Sequence, residues 1–251
     1  MKKTLLFIFL LSLLFDVTAE NSQAKTLFLN SVKKIAYSDV VVDLLYEQKE
    51  RRGNITKREL KLSLGKIDNE NFIMVELISP GDVAGTKILF SDCEDKRDFV
   101  DLFLPASGRV QRLKVEQTEM EIMGQSFSFY QFQERYSNGY TFEFSGVEEC
   151  GNSECDRIAI HQNGEEEFKM AYVDRESGLL TKFEYYNSAG AKESYIEFID
   201  YNDFDKIDGK VYPRQFKFYN LRTGQKSTFF INSFELLIDG DADYFDISLC
   251  N

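Results

Sequence analysis

Tyr140-Thr-Phe-Glu-Phe-Ser145 decides the fold. Aromatic residues alternate with Thr141, Glu143 and Ser145, the period of two expected of a strand with one buried and one solvated face. The C-terminal half of the chain repeats the theme. Turn glycines recur at 151, 164, 178, 190, 209 and 224, leaving room for one strand and one turn in each interval. Between them stand Phe168/Met170/Tyr172, Phe183/Tyr185, Ile196/Phe198, Phe216/Phe218 and a last strand from Phe229 to Leu237. Upstream, strands are expected over Val40 to Glu47, Leu60 to Leu64, Asn71 to Ser79, Lys87 to Phe90 and Phe99 to Leu104. The sum is a mainly β protein: a single large antiparallel sheet of about ten or eleven strands.

A wide, twisted antiparallel sheet curls, and its aromatic concave face needs a cover. One amphipathic helix is expected from about Gln23 to Tyr37, with Ala24, Leu27, Phe28, Ser31, Val32, Ile35 and Ala36 at helical spacings. Glu116 to Arg135 is rich in Met and Phe, and a short helix capped by Ser126 or Ser128 is expected there. It reads as a lid, since Met adapts to variable apolar partners, or as ordinary core. A few short helices do not fill the mouth of so wide a sheet. Either the sheet closes on itself, or it leaves an apolar cavity under the helices that would hold an elongated ligand. Alternation alone offers Ile88, Phe90, Leu102, Leu104, Phe142, Phe144, Phe183 and Tyr185 as lining, with Phe127 and Phe129 as lid contacts; core packing is the competing reading of each.

The N-terminus reads as an export signal. Lys2 and Lys3 precede the apolar run Leu5 to Phe15, and Val17-Thr-Ala19 is a small-x-small cleavage site. Residues 1–19 are therefore expected to be a signal peptide and 20–251 one soluble periplasmic domain. Removal of the signal changes the formal charge from −12 to −13. No cysteine stands near the site to carry a lipid anchor. An oxidising compartment suits the even cysteine count. Cys150-Gly-Asn-Ser-Glu-Cys155 looks like a strand-joining turn clipped by a disulfide, which leaves Cys93 to pair with Cys250.

Composition narrows function further. The acidic balance of 42 Asp+Glu against 30 Lys+Arg argues against nucleic-acid binding. One histidine, His161, leaves no His-rich metal site and little room for His-based nucleophilic catalysis. Neither a nucleophile elbow nor a phosphate-binding glycine loop is present. Asp239-Gly-Asp-Ala-Asp243 opens like a calcium loop, but Tyr244 and Cys250 stand where an EF-hand needs Gly and Glu. Glu165-Glu-Glu167 reads as a solvated charge run. No cofactor or metal is expected, and no enzyme activity.

The most specific stretch is Ser79-Pro80-Gly-Asp82-Val-Ala-Gly85-Thr86, then Leu102-Phe-Leu-Pro105-Ala-Ser-Gly-Arg109-Val-Gln-Arg112-Leu, then Met123-Gly124-Gln-Ser-Phe127-Ser-Phe129. In order and spacing these blocks resemble the outer-membrane lipoprotein-sorting protein family, the LolA-like periplasmic carriers. The resemblance is narrowest to a subfamily associated with exporters of the resistance-nodulation-division type. It implies a LolA/LolB-like half-open barrel. It also implies lipid or lipidated-protein cargo, an inner-membrane exporter as partner and an outer-membrane acceptor. The chain departs from the pattern at Asp101-Leu-Phe103, where relatives carry an aromatic, at Ile122 before Met123, and in having no Trp. These departures bear on the cavity lining rather than on the fold. Arg109 and Arg112 are expected at the rim, in ion pairs or facing a lipid headgroup or an acidic partner. Two other readings remain: a sensor or accessory module docking on a membrane protein, and an enzyme on the same fold.

Overall fold

The structure, a computed structural model, describes residues 21–35, 39–67, 70–92, 99–114, 121–122, 125–126, 139–201, 211–237 and 245. Helix α1 covers residues 21–35. It contains no Gly or Pro, and Lys33 and Lys34 in its last turn complement the helix dipole.

Six strands come next as hairpins: β1 (Val40–Lys49), β2 (Ile55–Ile67), β3 (Glu70–Ser79), β4 (Lys87–Asp92), β5 (Phe99–Leu104) and β6 (Arg109–Lys114). A separate two-stranded hairpin pairs β7 (Glu121–Ile122) with β8 (Gln125–Ser126). Then come β9 (Tyr140–Cys150), β10 (Ser153–Gln162), β11 (Phe168–Asp174), β12 (Leu180–Tyr186), β13 (Lys192–Ile199), β14 (Gln215–Asn220) and β15 (Gln225–Leu236).

Thirteen strands form one antiparallel sheet in the order β6-β5-β4-β3-β2-β1-β15-β14-β13-β12-β11-β10-β9. The chain starts in the middle, winds out to β6, resumes at the opposite edge with β9 and winds back. β1 and β15 then join the two wings along ten register pairs, from Val40↔Leu236 to Lys49↔Lys226. β6 and β9 remain as edges, so the barrel is half open. The register shifts at Asp43/Leu44, Glu59/Leu60, Asp156/Ile158, Tyr172/Val173 and Tyr185/Tyr186. Bulges of this kind bend a strand and deepen its twist, which curls the sheet.

One expectation changes. The large sheet holds thirteen strands instead of ten or eleven, and Arg109–Lys114 is a strand that the expected set did not include. Its position at the edge leaves Arg109, Val110, Gln111 and Arg112 exposed, so no apolar alternation marks it. Ser126 pairs with Glu121 in β8, and the residues of the short helix expected after Ser126 or Ser128 lie outside the described residues. α1 is the one helix among the described residues. Phe127 and Phe129 lie outside the described residues, as do Met123, Gly124, the Cys93–Cys250 pair and Asp239–Asp243. Cys150 and Cys155 are disulfide-bonded across the β9–β10 turn, with Cα atoms 5.8 Å apart.

A candidate apolar binding face

Residues opposed across a ladder share a face of the sheet. On the C-terminal wing, Phe218, Ile196, Phe183, Ala171, Ile158 and Phe144 form one such row across six strands. On the N-terminal wing, Leu102, Ile88, Val75, Leu62, Val42 and Phe234 form another. Phe229 opposes both Tyr46 and Phe216 and so joins the two rows on one continuous face. This is the inner face, because α1 lies on it. All eight described candidates, Ile88, Phe90, Leu102, Leu104, Phe142, Phe144, Phe183 and Tyr185, stand on it.

The two wings differ in what covers them. Ala24, Phe28 and Val32 of α1 pack into a buried cluster with Phe142, Ile158, Phe183, Ile196, Phe198 and Phe218. The Phe28 ring lies 5.5 Å from that of Phe142 and 6.2 Å from that of Phe183. Phe142 and Phe183 are therefore core beneath the helix. Lys34 donates to the Ser177 carbonyl at 2.6 Å, and the Val211 N–H to the Lys34 carbonyl at 2.9 Å, tying down the end of α1. On the N-terminal wing the inner clusters contain no residue of α1. There Leu62, Leu64, Ile88, Leu102, Ile231 and Phe234 are half-buried, and Leu104 is 41% exposed. Leu62 and Leu64 are missing from the sequence-derived candidates, although their alternation with Leu60 marks them as well as it marks the others.

The first two motif blocks meet at one end of this wing. Gly85 has φ +80°, and the place of a Cβ on it lies 3.2 Å from Pro105 Cγ. A side chain there would be strained and crowded, so glycine lets the 80–86 loop pack on the β5–β6 turn. Within that loop the Gly85 N–H bonds the Leu77 carbonyl, and Val83 packs on the inner cluster of β1 and β2. Pro80 and Asp82 are exposed. Arg112 is engaged elsewhere: its Nε and Nη2 donate to the two oxygens of buried Asp101, each at 2.8 Å, and its guanidinium lies 3.7 Å from the Phe99 ring centroid. Of the roles expected for Arg112, the ion pair is the one the geometry places.

The outer face of the C-terminal wing joins a buried cluster of Cys155, Ala159, Met170 and Tyr172 to a polar centre that no pattern within one segment announces. Glu184 is buried and accepts from Tyr172 Oη (2.8 Å), Tyr186 Oη (2.6 Å) and Lys192 Nζ (2.7 Å), with Lys182 Nζ at 3.2 Å. Burial alone would raise its pKa, but the Lys192, Tyr186 and Tyr172 hydrogen bonds and the Lys182 charge outweigh it and hold the carboxyl down at about 2. Burial and Glu184 together push Tyr186 up to about 12 and Tyr172 above the ordinary range. These residues are polar cross-strand neighbours, a relation visible only once register is known. Beside them a hollow of about 420 Å³, bordered by Glu143, Arg157, His161, Phe168, Met170 and Tyr186, opens at the β9 edge. His161 stacks on Phe168 there, 5.3 Å between centroids. Glu165–Glu167 are exposed in the β10–β11 turn. Among the described residues no group of three His, Cys, Asp or Glu is placed to hold a metal ion. No described helix is long and apolar enough to cross a membrane.

A half-open antiparallel sheet with a helix on its inner face is the LolA-like fold, and known structures share it. A domain described as an outer-membrane lipoprotein-sorting protein from Vibrio parahaemolyticus superposes with TM-score 0.74 at 16% identity, over 90% of this chain and 97% of that one. A DUF1329 family protein from Desulfovibrio piger gives 0.74 at 17%, over 91% and 98%. A LolA superfamily protein from Nitrosomonas europaea gives 0.62 at 11%, over 88% and 96%. At such identities the likeness is one of fold. Among curated proteins none matches the sequence. A family model described as "Uncharacterized protein" matches residues 68–248, and the chain belongs to that family, DUF1329.

Proposed function

We propose that this protein is a periplasmic carrier whose inner apolar face takes up lipid, or the acyl chains of lipoproteins, and moves them toward the outer membrane. The observation that carries the reading is the half-buried apolar strip of the N-terminal wing, Leu62, Leu64, Ile88, Leu102, Ile231 and Phe234, continuous with the α1-covered core. An acyl chain laid there leaves water at about 0.8 kcal/mol for each CH₂ buried. The six side chains of the strip are apolar, so they grip by area rather than by a directional bond, which suits cargo that must also be released. The LolA-like fold of the solved relatives supports the same reading. Export under residues 1–19 would deliver the domain to the compartment in which its disulfide persists. An inner-membrane exporter of the resistance-nodulation-division type would supply the cargo, and an outer-membrane acceptor would receive it.

Native mass spectrometry of the protein purified gently from periplasm, with organic extraction of what it carries, tests this. A co-purifying phospholipid, lipoprotein or other acyl compound is the expected result. A clean apo mass, with no uptake of added fluorescent fatty acid, overturns it.

A further inference from the structure

The β5–β6 hairpin is unlike the rest of this acidic chain. From Leu102 to Val115, Leu-Phe-Leu-Pro-Ala-Ser-Gly-Arg-Val-Gln-Arg-Leu-Lys-Val, there is no acidic residue and there are three cations, Arg109, Arg112 and Lys114, of which Arg112 is paired with Asp101 of β5. Its tip is apolar on both faces. Leu104 is 41% exposed on the inner side and Val110 47% exposed on the outer side, opposite half-buried Phe103. Ile78, on the outer face at the end of β3, is 44% exposed. The turn Pro105–Gly108 is exposed, and its Ser107 and Gly108 N–H groups already bond the Leu104 carbonyl. Pro105 rests on Gly85, so the tip is braced.

The opposite edge is a built-in contrast. β9 exposes Val147 to a similar 49%, but its charged residues are Glu143, Glu148 and Glu149, and it carries no cation. A protein partner laid on one face of the sheet would need apolar contacts on that face only. Apolar side chains on both faces of one hairpin tip, in a segment whose charges are all positive, suit immersion in a medium. We propose that the β5–β6 hairpin is a docking element for an anionic lipid surface, with Leu104, Pro105 and Val110 entering the interface and Arg109 meeting the headgroups. Leu104 and Leu102 also begin the inner strip, so the docked edge would place the mouth of the apolar face at the membrane. The inference goes beyond the carrier reading and stands or falls separately from it.

The chain has no Trp, so a single introduced Trp reports without background. Val110→Trp should shift its emission to the blue on addition of phosphatidylglycerol vesicles, and far less with phosphatidylcholine alone. Val147→Trp, equally exposed on the acidic edge, should not respond. Arg109→Glu in the Val110→Trp background should weaken vesicle partitioning about twenty-fold, from the loss of one cation and the gain of one anion. Matching thermal unfolding of the three proteins confirms that they fold. The proposal is overturned if Val110→Trp is silent with anionic vesicles, if Val147→Trp shifts equally, or if Arg109→Glu changes nothing. Fatty-acid uptake without vesicles is read in parallel. A Val110→Trp shift without uptake leaves docking standing and removes the carrier reading; uptake without a shift does the reverse.

Discussion

The two wings of the sheet use one construction for two ends. The C-terminal wing lines its inner face with rings, Phe142, Phe144, Phe183, Phe198, Phe216 and Phe218, and seals them with Phe28 of α1. Its outer face is fastened by Glu184 and four cationic or phenolic partners. The N-terminal wing lines the same face mainly with Leu, Ile and Val, among which stand Tyr46, Phe90 and Phe234, and its inner clusters receive no residue of α1. Rings interlock with a helix at fixed angles, whereas aliphatic rows present a smoother surface to a flexible chain. One wing is thereby a scaffold and the other, in the proposed function, the face that binds.

The comparison is broken most directly at its seal. Phe28→Ala should cost about 3–5 kcal/mol, the range for a buried aromatic, read as a lower denaturation midpoint. If the C-terminal wing is scaffold only, fatty-acid uptake per folded molecule should persist. A loss of uptake out of proportion to unfolding would show that α1 and its rings bind cargo themselves.

Acid tests the outer clamp. The pKa of Glu184 is depressed in the fold, from 4.5 to about 2. Its contribution is therefore complete above about pH 4.5 and is lost as pH falls toward 2. The linkage is worth about 3 kcal/mol at most. Urea unfolding across that window should show a steeper acid loss in the native protein than in Glu184→Gln. Equal slopes would mean that the clamp contributes nothing to the scaffold.

The smallest effect on stability belongs to the open wing. Leu62→Ala at a half-buried site should cost about 1 kcal/mol and weaken fatty-acid binding about five-fold, because roughly half the removed aliphatic area would lie against the ligand. A fully core-like loss of several kcal/mol with unchanged binding would move Leu62 from the face to the scaffold.

Much of this was legible in sequence because face membership is a local property. Alternation placed Ile88, Phe90, Leu102, Leu104, Phe142, Phe144, Phe183 and Tyr185 on one side, and helical spacing found α1 through Ala24, Phe28 and Val32. Burial was not legible, because it depends on what comes from elsewhere: Phe142 and Phe183 became core only through Phe28. The β6 strand escaped because an exposed edge needs no apolar period. Glu184 escaped because its partners lie on β11 and β13 as well as on its own strand, and cross-strand register is not written in any one segment.

The join between β1 and β15 bears on how the chain assembles. Each wing is a run of neighbouring hairpins and forms from local contacts, but their union waits for the last strand to find the first. Val40 pairs with Leu236, and the Leu237 N–H reaches the Asp39 carbonyl at 2.7 Å. Closure across nearly the whole chain is a slow, non-local event, so a product ending before β15 would be two wings with raw central edges rather than a smaller version of the protein. By the same geometry the two ends of the sheet-forming chain are neighbours. A circular permutant joined there and opened between β6 and β9 would turn the latest contact of folding into a hairpin.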